Sequence, residues 1–229
     1  MEQSSIADNI ARIQERISKS AERCGRKSEE IHLLAVSKNV SVERILEARN
    51  AGIVSFGENY VQEAVSKQQN PVFETLPVDW RFIGHLQSNK VRDVAGRFSL
   101  IQSVDSVSLA NALGNKLISL GIVSKILLEV KLDLSNSKFG FLPEEVEEIA
   151  FKIREIPGIQ LCGYMGMAPF SSNPEDARPH FRRLRQLFDR LPATDRVALS
   201  MGMSGDFETA IEEGTTEVRI GTAIFGRRL

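Results

Sequence analysis

Several things are scarce in this sequence, and each scarcity excludes a class of protein. It holds only two cysteines, Cys24 and Cys162, which have neither metal spacing nor the pattern of a disulfide framework. His85 is one of three histidines, and no second His, Cys or carboxylate stands near it at ligand spacing, so no metal is expected. No apolar run approaches the length of a membrane span. The opening MEQSSIADNIARIQERI is amphipathic and too polar for a secretory signal. Charge of one sign is not in excess either. The formal net charge is −1, which points to no nucleic-acid or membrane partner. The densest basic run, Arg182-Arg183-Leu184-Arg185, falls in a helical pattern and reads as a solvated face. These absences together lead us to expect a reducing, cytoplasmic setting.

What is present is a long alternation. The chain has 229 residues, 42% hydrophobic and 26% charged, a globular balance at the size of one barrel. Ile6, Ile10, Ile13 and Ile17 recur at helical period, so residues 1–23 are expected to form an extra helix ahead of the first strand. Eight short, β-branched, apolar runs follow, at 31–37, 53–57, 80–84, 98–103, 125–130, 159–165, 196–201 and 217–221. Amphipathic stretches separate them. In 143–154, Pro143 stands where a first helical residue belongs, with Glu144 and Glu145 behind it. Asn173-Pro174-Glu175-Asp176 is a second such start. Strands alternating with helices imply parallel pairing and right-handed crossovers. A doubly wound sheet would carry a glycine-rich first turn, whereas here that turn is Ser37-Lys38-Asn39-Val40-Ser41, with no glycine. The expectation is a single domain over 1–229, a closed (β/α)₈ TIM barrel with an added N-terminal helix.

In such a barrel the chemistry sits at the C-terminal ends of the strands. Strand 1 ends at Lys38. That lysine is either a strand-end cation reaching for solvent or an amine above an apolar floor, where a depressed pKa makes a nucleophile. Asn59, after strand 2, could orient a ligand or cap the next helix. His85, after strand 3, could line a site or pack behind one. The methionines that close strand 6, Met165 among them, could wall a flat aromatic ligand or simply fill core. Lys138, in the polar loop after strand 5, is a second lysine near the mouth. The clearest signal comes from strands 7 and 8. Met201-Gly202-Met203-Ser204-Gly205 and Gly221-Thr222-Ala223 both place small residues and free backbone N–H groups ahead of a helix, at the two positions where barrels hold phosphate. Arg219, two residues before Gly221 and on the same face of its strand, points inward. Buried, it needs a partner, either a carboxylate or a ligand acceptor.

A strand-1 lysine, a phosphate cradle after strands 7 and 8, and an inward strand-8 arginine together resemble the alanine-racemase-type barrels that hold pyridoxal 5′-phosphate (PLP), the fold-type III architecture. The motifs LLAVSK (33–38), FGENYVQE (56–63), WRFIGHLQSNK (80–90), SKFGF (137–141), LCGYMGMAP (161–169), LSMGMSGDFETAI (199–211) and VRIGTAIFG (218–226) are similar to those of the pyridoxal-phosphate homeostasis proteins, in order and over nearly the whole chain. The resemblance implies PLP as cofactor, held as a Schiff base on Lys38. Asn59 and His85 would line its pocket, with Met165 beside them. Ser204, Gly205, Gly221 and Thr222 would contact its phosphate, and Arg219 would face its pyridine nitrogen. It also implies a role in intracellular PLP and vitamin B6 homeostasis.

An arginine keeps its protons. It therefore favours a neutral pyridine nitrogen, which is the weaker electron sink. Racemases of this fold compensate with a second base, a tyrosine supplied with an additional domain. This sequence ends three residues after Gly226 and has two tyrosines, Tyr60 and Tyr164, both on or beside barrel elements. Dedicated two-base catalysis is therefore expected to be absent, and the expected protein is a monomeric PLP carrier. A small PLP-dependent amino-acid racemase is the alternative. A sugar- or nucleotide-phosphate barrel enzyme without PLP would share the cradle but have no use for the lysine.

Overall fold

The computed structural model describes residues 5–133 and 139–226. Its eight strands close into one barrel in sequence order: β1 His32–Val36, β2 Ser55–Glu58, β3 Asp79–Phe82, β4 Leu100–Val104, β5 Ser124–Val130, β6 Ile159–Gly166, β7 Ala198–Ser200 and β8 Glu217–Ile220. All neighbours pair parallel, and β1 closes on β8 with Leu34 in register with Arg219. The helices are α1 Ile6–Arg23, α2 Val42–Asn50, α3 Val61–Gln68, α4 Val72–Thr75, α5 Val91–Val94, α6 Val107–Ser119, α7 Val146–Arg154, α8 Arg178–Arg190, α9 Phe207–Glu212 and α10 Thr222–Phe225.

The added N-terminal helix starts at a capping box. Ser5 Oγ accepts from the Asp8 N–H at 3.1 Å, and the Asp8 carboxylate accepts from the Ser5 N–H at 3.3 Å, so two orphan donors are satisfied at once. Ile6, Ile10, Ile13, Ile17 and Ala21 form its buried stripe, laid against α9, α10 and α2. The Arg182–Arg185 face of α8 is paired in place: Arg182 with Glu213, Arg183 with Glu144 and Arg185 with Asp189, while Leu184 turns into the core.

Two local expectations shift. The helix read from Pro143 begins at Val146, with Glu145 as N-cap, because the Glu145 carboxylate accepts from the Leu142 N–H at 3.1 Å and holds residues 143–145 in a turn. Asn173 caps a 3₁₀ turn over Pro174–Ala177, and the α-helix proper starts only at Arg178.

The barrel wall carries one irregularity that bears on the site. Along β5 and β6, Ile126 pairs with Leu161 but Leu128 pairs with Tyr164, so β6 gains a residue. Gly163 takes up the extra length at φ +135°, and a Cβ there would lie 2.0 Å from the Ala198 carbonyl oxygen, so no other residue fits without moving β7. Cys162 and Met165 are three apart, and strict alternation would send them to opposite faces. The bulge resets the count, and both pack inward with Leu100 and Leu127.

Candidate functional site

The mouth of the barrel is built on a polar core. Arg219 is 4% exposed. Its Nη1 donates to Ser200 Oγ at 2.7 Å and its Nη2 to the Gly166 carbonyl at 2.9 Å. Ser200 passes its own proton down to Glu217 Oε1 at 3.0 Å, and Gln102 donates to the same oxygen at 2.5 Å. Arg81 takes the other Glu217 oxygen and donates to Asp79 at 2.8 Å. The buried carboxylate thus belongs to Arg81. Among the described residues no carboxylate lies within ion-pair distance of Arg219. Burial pulls its pKa down from the ordinary arginine value, while the more distant Glu217, Asp206 and Glu129 pull it back up. At the opposite end of the barrel a cavity of about 460 Å³ opens beside Asp79, Arg81 and Glu217; none of the sequence candidates lines it.

Lys38 follows β1 by two residues and is half-buried at the mouth. The next residue, Asn39, is left-handed at φ 58°, an uncommon conformation for a side-chain-bearing residue. A buried cluster lies behind this turn. Lys67 Nζ donates to the Ser37 carbonyl at 2.6 Å, to Glu58 Oε1 at 2.7 Å and to Glu63 Oε1 at 2.6 Å.

Asn59 leaves β2 with its Oδ1 buried and without a hydrogen-bond partner among the described residues. Its backbone runs against Gly84, where a Cβ would sit 2.1 Å from the Asn59 carbonyl oxygen, so the close approach of the two loops requires glycine. His85 is held from two sides. Its Nδ1 is 3.0 Å from Asp105 Oδ2, and its ring stacks on Phe139 with centroids 3.6 Å apart. Met165 is buried, in register with Glu129 on one side and Ser200 on the other.

The loops after β7 and β8 meet. Ser204 Oγ accepts from the Ala223 N–H at 3.4 Å, one residue after Thr222, which opens α10. Gly221 packs on β1, and a Cβ there would lie 3.3 Å from Val36 Cβ. A Cβ on Gly205 would meet nothing within 4 Å, so that glycine is not demanded by packing. Asp206 folds the loop by accepting from the Met203 N–H at 2.6 Å, and burial raises its carboxyl pKa. Lys138 lies outside the described residues.

Thus β1, β2, β3, β6, β7 and β8 bring Lys38, Asn59, His85, Met165, Ser204, Gly205, Arg219, Gly221 and Thr222 to one end of the barrel. Sequence reading passed over one further group there. Glu129, on β5, is 7% exposed, and its carboxyl has no hydrogen-bond partner among the described residues. Burial first, and then the nearby Asp105, push its pKa up to about 7, with Arg219 pulling the other way. The available signal was a glutamate at an inward position of an otherwise apolar strand, KILLEV.

The family of the alanine racemase N-terminal domain matches residues 3–228. A pyridoxal phosphate homeostasis protein of Aquifex aeolicus is 43% identical over 224 residues, covering 96% of this chain and 97% of its own. The structure of PipY from Synechococcus elongatus with PLP bound superposes with a TM-score of 0.82 at 34% identity, covering 97% of this chain and 100% of that one. An alanine racemase of Clostridium difficile shares the fold at 16% identity and a TM-score of 0.71, covering 94% of this chain and 56% of its own.

Proposed function

This chain belongs to the pyridoxal phosphate homeostasis proteins, within the family of the alanine racemase N-terminal domain, and we propose that it carries PLP as a Schiff base on Lys38 and so takes part in PLP homeostasis. The observation that carries this reading is Arg219. A guanidinium buried inside a barrel with no carboxylate within ion-pair distance among the described residues, its hydroxyl neighbour already committed to Glu217, has donors to spare for a ligand acceptor. In this reading Arg219 faces the pyridine nitrogen. Ser204, Gly205, Gly221 and Thr222 take the phosphate on hydroxyls and backbone N–H groups. Asn59, His85 and Met165 line the ring. Asn59 Oδ1, buried with no partner among the described residues, supports a group seated against these loops. Bound in this way, PLP supplies an electron sink that the arginine keeps weak.

A carrier without dedicated turnover is supported by Tyr164. Tyr164 is fully buried among the hydrophobic side chains of the core and offers no base at the mouth, and Tyr60, at the start of α3, is exposed to solvent. We take the active unit to be one barrel, 1–229, acting as a cytoplasmic monomer with PLP as its ligand. The two unpaired cysteines support that setting, and no helix among the described residues is long and apolar enough to cross a membrane.

The test is spectroscopic. The protein incubated with PLP should show visible Schiff-base absorption that borohydride erases, and peptide mapping should place the reduced adduct on Lys38. Absence of the band, or an adduct confined to Lys138, would overturn the assignment. Glu129 favours the second reading, an amino-acid racemase, since an unpartnered carboxyl near neutrality could move a proton. Exchange of the amino-acid α-proton in D₂O far faster than with free PLP would decide for it.

A further inference from the structure

Lys67 is an unusual residue to find in a helix of a barrel wall. It is 7% exposed, and all three of its ammonium donors are spent. One goes to the carbonyl of Ser37, at 2.6 Å, which is the peptide bond entering Lys38. One goes to Glu58 Oε1, at 2.7 Å, and that same oxygen accepts from Ser37 Oγ at 2.6 Å. The third goes to Glu63 Oε1, at 2.6 Å, and that oxygen accepts from the Asn39 N–H at 2.6 Å, the peptide bond leaving Lys38. Both peptide bonds that flank Lys38 are therefore tied to one buried cation, on either side of a turn whose second residue is left-handed.

A plain stabilising role accounts poorly for this arrangement. Taking a lysine and a glutamate out of water costs more than such pairs usually return, and here Glu58 Oε2 is buried with no partner among the described residues. What the cluster does gain is geometry: one bond holds the Ser37 carbonyl, one the Asn39 N–H and one the Ser37 hydroxyl, so the turn is fixed on both sides of the residue that carries the amine. A displacement of about 1 Å in a reacting group is enough to cost on the order of a hundredfold. We propose that Lys67, acting through Ser37 and through Glu63, is a positioning residue that fixes the turn presenting Lys38 to PLP. It is a second lysine beside the site that takes no cofactor itself. The inference rests on the assignment of Lys38 as the PLP lysine.

The experiment compares the full-length wild type with Lys67→Met, which keeps the apolar stem but donates no hydrogen bond, and with Glu63→Gln, a half-exposed change that weakens only the Asn39 arm. Each is titrated with PLP, reduced with borohydride and mapped by peptide mass. The expected result for Lys67→Met is a Kd for PLP raised ten- to a hundredfold, on the scale of a misplaced reacting group, with label appearing on lysines other than Lys38. For Glu63→Gln a severalfold rise is expected, with the melting temperature little changed. A cluster that merely stabilises the fold would lower the melting temperature while leaving Kd and the labelled residue as in wild type, and that outcome overturns the inference. If Lys67→Met fails to fold, Glu63→Gln decides alone, and an unchanged Kd in that variant also overturns it. If the wild type itself puts no label on Lys38, it is the assignment of the PLP lysine that has failed.

Discussion

Lys38→Ala is expected to abolish the visible Schiff-base absorption of the protein with PLP and to leave no borohydride-trapped lysine at stoichiometric yield. The side chain is half-buried at the mouth and outside the hydrophobic core, so its truncation leaves the barrel's packing intact, and the ligand-free variant should melt within a few degrees of wild type. The loss should appear in the response to ligand. A ligand at a hundred times its Kd stabilises the folded state by about 2.7 kcal/mol, which for a chain of this size raises Tm by roughly 5–11 °C. Wild type should show a rise of that order on saturation with PLP. In the variant the contacts proposed for Asn59, His85, Met165, Ser204, Gly205, Gly221, Thr222 and Arg219 would remain, so at the same PLP concentration most of the rise should vanish while some of it returns at higher concentrations. A Schiff-base band of full strength in Lys38→Ala would remove this residue from the assignment.

What the sequence made legible, and what it hid, follows from how local each signal is. The eight strands were readable because a parallel barrel strand is a short apolar run flanked by turn residues. The fold followed from counting them. Arg219 was readable because it stands two positions before Gly221, on the same face of the chain, and the two small-residue loops stand in fixed places after β7 and β8. The groups missed are those whose meaning depends on partners far along the chain. Lys67 finds Ser37 thirty residues away; within α3 alone it looks like any solvent lysine on an amphipathic helix. Glu129 sits in an apolar strand, and nothing in KILLEV says that its carboxyl will find no hydrogen-bond partner among the described residues. Arg81 and Glu217 meet across the barrel, 136 residues apart, and only that meeting shows why Arg219 pairs with no carboxylate among the described residues. The extra residue at Gly163 is invisible to a two-residue period until the neighbouring strand shows the slip. The start of α7 went astray for a local reason of a different kind: proline and two acids suit a first helical turn, but the Glu145 side chain spends itself on the Leu142 N–H.

Glu129→Gln is expected to remove a pH dependence of stability that this one carboxyl imposes. In the unfolded chain the group ionises near its ordinary value of 4.5, whereas burial and Asp105 raise it to about 7 in the folded protein. Below about pH 4.5 it is neutral in both states, and its buried neutral form costs nothing extra. As pH rises, the unfolded chain ionises first and gains stability relative to the fold, so the contribution drains away until the folded group has ionised as well, above about pH 7. At about 1.4 kcal/mol for each pH unit, the span from 4.5 to about 7 amounts to about 3 kcal/mol, a Tm difference of roughly 6–12 °C. Glutamine has nearly the same shape and cannot ionise. The ligand-free variant should therefore melt close to wild type at pH 4.5 and well above it at pH 8.5. Thermal melts of the two proteins across this range give the answer, and a difference in Tm that stays constant with pH would show that the carboxyl ionises freely in the fold. The same proton bears on the site, since an ionised Glu129, near Asp105, adds a negative charge to the mouth where the anionic phosphate of PLP is proposed to sit. PLP should accordingly be held more weakly by wild type than by Glu129→Gln at pH 8.5, and equally by both near pH 5.5.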